Sequence, residues 1–297
     1  MRWAEGFIAA DWGTTNRRAY LIGADGRCAE EMEDAKGVLS VRSGGFGAAV
    51  AEIRERLGDK PLLLAGMVGS NRGWVEAPYV PCPAGIEEIA GALAWPEERT
   101  AIVPGVSFRE GDDADVMRGE ETQILGALAA GLIPPDALVC HPGTHNKWVR
   151  LEGLRITRFT TVMTGELFNL LKEHSILADQ LSGPSEPNGS FERGVRKALG
   201  GAAITSELFT IRAKFALGDS TADGSSYASG LLIGADIGAG LALGEPEVRP
   251  ILIGRPDLTR LYAAALKIAG REATELDGEE AFLAGARRIV ELIDERS

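Results

Sequence analysis

Asp11-Trp12-Gly13-Thr14-Thr15-Asn16 brings a carboxylate, a glycine and two hydroxyls into six residues. Backbone N–H groups of Gly13 to Asn16 and the Thr14 and Thr15 hydroxyls can meet phosphate oxygens in such a turn. Asp11 can hold Mg²⁺, directly or through water, because magnesium takes hard oxygen ligands and keeps several waters. An ordinary hairpin with a Gly-Thr turn would use the same residues. Gly143 and Thr144 form a second Gly-Thr turn, and Lys147 can add positive charge toward phosphate there. Arg118-Gly119-Glu120-Glu121 puts two carboxylates at the positive start of a helix. Either Glu120 or Glu121 could accept a hydroxyl proton, with Asp115 as a third candidate. Acidic first turns also simply cap helices. Ser70, Asn71, Arg72 and Trp74 share one loop and offer hydrogen bonds, a carboxylate partner and a flat apolar face, the makings of a polar-substrate site. Arg118 supplies a second carboxylate or phosphate contact. His174 suits the negative end of a helix, or a substrate contact.

The elements that must position these groups read as α/β. Phe7 to Asp11, Arg17 to Ile22 and Cys28 to Ala35 form a meander. Phe46 to Leu57 has helical spacing and stops at Gly58. Leu62 to Ala65 is a short buried strand, followed by a long irregular segment from Gly66 to Gly85. Thr100 to Val103 is a strand, Glu110 to Asp115 a charged loop, and a helix runs from about Glu121 to Ala130. Pro134-Pro135 marks a boundary, giving domains 1–133 and 134–297 with a cleft between them. The second domain repeats strand, Gly-Thr turn, strand over Ala137 to Leu151, and Leu154 to Phe159 adds a third strand. Four helices follow, at about Gly165 to Glu173, Phe191 to Leu199, Ala203 to Ala216 and Ser226 to Ile237. A strand Val248 to Ile253, a helix Asp257 to Ala269 and a strand Ala273 to Leu276 come next. A closing amphipathic helix, 279–294, is able to pack across the boundary.

Composition bounds the function. With 297 residues the chain exceeds a single core, so two domains are expected. A net charge of -12 argues against nucleic acid, whose phosphates need a basic footprint. Cys28, Cys82 and Cys140 are scattered, so neither a zinc site nor a disulfide framework is expected, and a reducing cytoplasm fits. His141 and His145 have zinc-like spacing, but Pro142-Gly143 breaks the helical register and no third ligand is near. The N-terminal residues lack a signal-peptide pattern. No apolar run reaches the roughly 18–20 residues that span a membrane.

No Walker sequence and no well-placed G-x-G-x-x-G occurs. Nucleotide binding would therefore use paired hairpins, as in the actin, hexokinase and Hsp70 superfamily, where a glycine-rich helix start holds adenosine. Gly230 and Gly234 in Gly230-Leu231-Leu232-Ile233-Gly234-Ala235-Asp236-Ile237-Gly238 fit that third element. Small residues on a packed helix explain them equally well.

Five stretches, in order, carry a more specific likeness. They are Asp11 to Asn16; Gly66 to Ser70 with Gly73 to Tyr79; Asp115 to Gln123; Pro142 to His145 with Lys147-Trp148; and Met163 to Phe168 with His174 to Leu177. Together they resemble the 2-dehydro-3-deoxygalactonokinases. The resemblance implies two actin-like ATPase (ribonuclease H-like) domains. It also implies ATP- and Mg²⁺-dependent transfer of the γ-phosphate to the 6-hydroxyl of an acidic sugar, 2-dehydro-3-deoxy-D-galactonate. A homodimer is compatible with it. Two departures stand out. The superfamily's Asn-Asp base is replaced around Glu120, and the second hairpin carries His141 and Pro142 where an acidic residue is usual. The rival readings are a kinase of another acidic sugar, such as 2-dehydro-3-deoxygluconate, and an ATP-binding regulator. The chain has no room for the peptide-binding or basic helix-turn-helix module that a chaperone or repressor would add.

Overall fold

The structure is a computed structural model that describes residues 3–219, 223–245 and 247–296. The chain divides into two compact units. Unit 1 comprises Met1–Pro135, Leu151–Arg158 and Glu279–Ser297; unit 2 comprises Asp136–Arg150 and Phe159–Gly278.

Unit 1 begins with a meander, β1 (Gly6–Trp12), β2 (Arg17–Gly23) and β3 (Cys28–Asp34). Helix α1 (Phe46–Leu57) follows because Phe46, Val50, Ile53 and Leu57 recur on one face, all buried. It stops at Gly58, whose φ of 101° suits glycine. Strand β4 (Leu62–Gly66) returns parallel to β1, Ile8 facing Leu62 and Asp11 facing Ala65. Both strands are almost wholly buried, so their sequences are near-continuous apolar runs. Next come β5 (Tyr79–Pro81), α2 (Ile86–Gly91), β6 (Ala94–Glu97), β7 (Thr100–Ile102), β8 (Gly105–Glu110), β9 (Asp113–Met117) and α3 (Glu120–Ala129). The main sheet has the order β3-β2-β1-β4-β7-β6, and β5-β8-β9 make a small second sheet.

The second half of the chain repeats the opening with β10 (Ala137–His141), β11 (Asn146–Glu152) and β12 (Arg155–Val162), where residues 151–158 count with unit 1. Helices α4 (Thr164–His174), α5 (Gly189–Leu199), α6 (Ile204–Ala216) and α7 (Gly224–Leu241) follow. Strand β13 (Ile251–Gly254), helix α8 (Pro256–Ile268) and strand β14 (Thr274–Asp277) complete the sheet β12-β11-β10-β13-β14. Helix α9 (Gly278–Arg296) then adds its residues from Glu279 onward to unit 1.

Each unit contains one helix pair whose backbones touch through glycine. A Cβ on Gly126 of α3 would lie 2.3 Å from the Ala281 carbonyl of α9, and one on Gly285 would lie 2.1 Å from the Thr122 carbonyl. In unit 2 a Cβ on Gly230 of α7 would lie 2.2 Å from the Phe191 carbonyl of α5. Glycine is what lets two helices approach this closely.

Three segments differ from the sequence reading. The expected charged loop 110–115 is a hairpin, with Glu110 opposite Asp113 and a tight Gly111-Asp112 turn, so Asp115 lies on β9. The segment 66–85 contains a helical turn, Met67–Gly69, and strand β5. Helix α2 and strand β6 are additional elements. All are short, and their exposed faces carry too few apolar residues to show a period. Among the described residues no helix is long and apolar enough to cross a membrane.

Candidate functional site

Two constellations emerge, one in each unit. In unit 1 the end of β1, the end of β4 and the start of α3 converge. The contact is made by glycines: a Cβ on Gly119 would lie 3.2 Å from the Gly66 Cα, and one on Gly66 would lie 2.9 Å from the Trp12 carbonyl and 3.2 Å from Asp11 Oδ1. Both glycines have positive φ, 90° at Gly66 and 112° at Gly119. This junction sets the Glu120 carboxylate near Asp11. Burial and the Glu120 charge push the Asp11 carboxyl up to about 6, against the pull of Arg18, its cross-strand partner on β2.

The turn after β1 is fixed by the segment that follows β3. The Gly13 N–H donates to Asn16 O at 2.9 Å; Gly37 N–H donates to Thr15 O at 2.9 Å and Val38 N–H to Gly13 O at 3.0 Å. The N–H groups of Thr14, Thr15 and Asn16 take no part in these bonds, and all three residues are exposed.

The three carboxylates considered as a base have different settings. Glu120 is half-buried and its Oε2 accepts from the Arg118 N–H at 3.1 Å. Glu121 is fully buried and accepts from the Gly119 N–H at 2.7 Å. Burial and the Glu120 charge push its carboxyl up to about 8. Asp115 sits on β9, its Oδ1 accepting from the Val116 N–H at 2.7 Å.

The loop after β4 is packed on itself and on the core. Ser70 is buried, its hydroxyl donating to Met67 O at 2.7 Å and accepting from the Arg72 N–H at 3.2 Å. Trp74 stacks on Phe46 with ring centroids 6.4 Å apart and joins the core of unit 1. Asn71 and Arg72 are exposed. Arg118 runs through this loop: Nη2 donates to Ala77 O at 2.8 Å and the guanidinium lies 4.3 Å over the Tyr79 ring. Its Nε and Nη1 are buried and have no protein acceptor. Arg118 thus braces the loop.

In unit 2 the β10–β11 turn opens on a pocket of about 460 Å³, a size suited to a small organic ligand. Gly143 and Thr144 form one edge; Thr164 and Phe168 of α4, Leu232 of α7 and Tyr262 of α8 form walls. Lys147 is not in the turn. It is the second residue of β11, buried, with Nζ donating to Thr161 Oγ1 at 2.8 Å. The basic group in the turn is His145, whose Nε2 bonds Glu166 Oε2 at the start of α4. Gly230 and Gly234 turn toward α5, where a Cβ on Gly234 would lie 2.9 Å from Val195 O. Both glycines pack on α5, while Ser229, Leu232 and Ile233 of α7 line the pocket. His174 ends α4, exposed, 3.7 Å from Glu173.

Behind this pocket lies Asp236, fully buried, which the sequence reading passed over. Its Oδ1 accepts from Asn146 Nδ2 at 2.7 Å and Trp148 Nε1 at 2.6 Å. Its Oδ2 accepts from Thr164 Oγ1 and from Tyr262 Oη, the latter at 2.5 Å. The available signal was a lone carboxylate inside an apolar, glycine-rich helix; buried charges are rare unless paired.

Comparison with known proteins decides the family. The profile described as 2-keto-3-deoxy-galactonokinase matches residues 11–289. The chain belongs to this family. The 2-dehydro-3-deoxygalactonokinase of Escherichia coli K12 is 37% identical over 290 residues, covering 97% of this chain and 98% of that one. The crystal structure of a provisional 2-dehydro-3-deoxygalactonokinase from Sinorhizobium meliloti is 36% identical. It superimposes with a TM-score of 0.90 over 97% of this chain and 99% of that chain. The fold reaches further: an activator of 2-hydroxyisocaproyl-CoA dehydratase from Clostridium difficile, with bound ADPNP, has a TM-score of 0.53 at 10% identity, covering 98% of this chain. The galactonokinase-family chain is therefore an α/β protein of the actin-like ATPase fold and a sugar kinase, a phosphotransferase.

Proposed function

We propose that this kinase transfers the γ-phosphate of ATP to the 6-hydroxyl of 2-dehydro-3-deoxy-D-galactonate, in the cytoplasm, as a step of galactonate breakdown. One observation carries the reading: the family match runs from Asp11 to residue 289, inside α9, and the named relative is covered almost end to end.

Phosphoryl transfer needs positioning, charge neutralisation and a group to take the hydroxyl proton. In this reading the nucleoside occupies the unit 2 pocket, with Phe168 and Leu232 as apolar walls. The Gly143-Thr144 turn and the Gly13-Thr14-Thr15-Asn16 turn offer N–H groups and hydroxyls to phosphate. Asp11 suits Mg²⁺ because a hard oxygen donor stands at a strand end where a cation would offset the repulsion from Glu120. No cluster of three protein ligands exists among the described residues. Magnesium bound by one or two carboxylates, waters and phosphate matches that arrangement. When bound, the metal neutralises charge on the phosphates. Glu120 is the general base, since its carboxylate stands where its charge acts on Asp11, whereas Glu121 is fully buried and caps the Gly119 N–H. Asn71 and Arg72 face the sugar acid, and Arg118 holds their loop in shape.

The test is ATP turnover with the two C4-epimeric sugar acids side by side. Faster turnover of the galactonate form supports the reading. Preference for 2-dehydro-3-deoxygluconate moves the substrate to the other epimer, and turnover of neither overturns the assignment.

A further inference from the structure

Asp236 is a buried carboxylate with four side-chain donors from three elements. Burying a charge in a core is unfavourable, and well-packed apolar residues often replace such groups without loss of stability. The donors divide by oxygen. Oδ1 takes both of its bonds from β11, at Asn146 and Trp148, and β11 begins directly after the phosphate-type turn. Oδ2 takes both of its bonds from residues that line the pocket, Thr164 at the first turn of α4 and Tyr262 on α8. The carboxylate therefore ties the strand that carries the turn to two walls of the cavity. The surroundings hold that tie rigidly. Asn146 is oriented by the Cys140 thiol, 3.5 Å from its Oδ1, and Trp148 lies against Gly240, where a Cβ would fall 1.9 Å from the indole ring.

We infer that Asp236 is a positioning residue for nucleotide binding, setting the Gly143-Thr144 turn against the α4 and α8 walls of the pocket so that phosphate and nucleoside are gripped together. The inference rests on the reading of this pocket as the nucleotide site. It accounts for both oxygens being used and for their division between turn and wall. An Asp236→Asn side chain keeps the shape but removes the charge, and its NH₂ group must face either the N–H donors of Asn146 and Trp148 or the Thr164 and Tyr262 hydroxyls, which would then have to turn and accept.

The experiment compares Asp236→Asn, Trp148→Phe and Leu232→Trp with the wild-type enzyme, measuring KM for ATP, KM for the sugar acid and thermal unfolding. Trp148 bonds Asp236 but does not line the pocket, so it separates positioning from direct contact. Asp236→Asn should raise KM for ATP roughly tenfold or more, because charge-assisted bonds that hold turn and walls become weaker neutral ones. Trp148→Phe should raise it in the same direction, with KM for the sugar acid unchanged in both. A purely structural role would lower the unfolding temperature and leave KM for ATP where it was. Leu232→Trp fills the pocket and checks the underlying reading. A raised ATP KM in Leu232→Trp with unchanged values in Trp148→Phe and Asp236→Asn overturns the inference alone. An unchanged ATP KM in Leu232→Trp sinks the pocket reading and the inference with it. If Asp236→Asn fails to fold, Trp148→Phe decides.

Discussion

Asp11 and Glu120 are brought near each other by two glycines, and their mutual repulsion has consequences for the pH profile. Asp11→Asn should keep the fold and remove most turnover at saturating ATP and Mg²⁺, since an amide is a poor magnesium ligand. Near wild-type turnover would show that the metal is held elsewhere. Glu120→Gln should lower kcat by about 10²–10⁴-fold, the usual worth of general-base assistance, with ATP affinity nearly intact. Its charge is also one cause of the raised Asp11 carboxyl, which titrates at about 6. In Glu120→Gln, Asp11 should therefore ionise at lower pH, and Mg²⁺ binding followed by calorimetry should persist further into acid. An unshifted acid limit would mean that the two carboxylates are not coupled. The strand end and turn at Asp11 were legible in the sequence because they are local, a strand, a glycine and two hydroxyls, whereas the approach of Gly66 and Glu120 to it was not. Asp236 was not legible either. Its donors stand 90, 88, 72 and 26 positions away, so no window of sequence contains the reason for its burial.

Helix α3 joins two jobs, presenting Glu120 and packing against α9. Glu121 serves the packing side. In the folded chain it holds its proton up to about 8, against 4.5 for an ordinary glutamate. The folded state therefore binds more protons across that window, and the contribution to stability falls as pH rises from about 4.5 through about 8. Glu121→Gln removes this dependence. Its midpoint of urea unfolding should match wild type near pH 5 and exceed it at pH 9. The gap should be on the order of a few kcal/mol, since each tenfold change in proton affinity between the folded and unfolded chain is worth about 1.4 kcal/mol. Equal midpoints at both pH values would mean that the carboxyl is not buried in the neutral form. Gly126→Ala tests the helix crossing: overpacking of about 1–3 kcal/mol is typical, and contact with rigid backbone places this site at the upper end or beyond. Wild-type stability in that variant would contradict the close approach. Element by element, legibility followed length and period. Helix α1 could be read because its apolar stripe and its stop are both in the sequence. The β8–β9 hairpin was hidden by its own charges, Asp112, Asp113 and Asp115, which suit an exposed face. The loop at 66–79 was recognised as unusual, but only the structure shows that Ser70 and Trp74 serve its packing and leave Asn71 and Arg72 at the surface.

At the scale of the whole molecule, ligand linkage offers a direct check. A nucleotide that binds the folded chain at 100 times its Kd stabilises it by about 2.7 kcal/mol. Hydrogen exchange with a non-hydrolysable ATP analogue should slow in α4, α7 and α8, the helices around the pocket. Slowing confined to unit 1 would relocate the nucleoside. The division into two α/β halves was legible from the repeated strand–turn–strand pattern, and a closing helix able to cross the boundary was expected, but the assignment of residues 151–158 to unit 1 was not legible, because it depends on contacts far apart in the chain. Trp3 N–H bonds Asp294 Oδ1 at 3.0 Å, Tyr20 Oη bonds Glu279 Oε2 at 3.1 Å, and Gly285 seals α3. On the ribosome, the half that is translated first thus stays unfinished until the residues of α9 emerge, after every residue of unit 2. Until then α3 exposes its glycine face and the nascent chain is open to proteases and chaperones. A frameshift in the α9 codons would accordingly act as a lesion in the core of unit 1, where Asp11 and Glu120 reside.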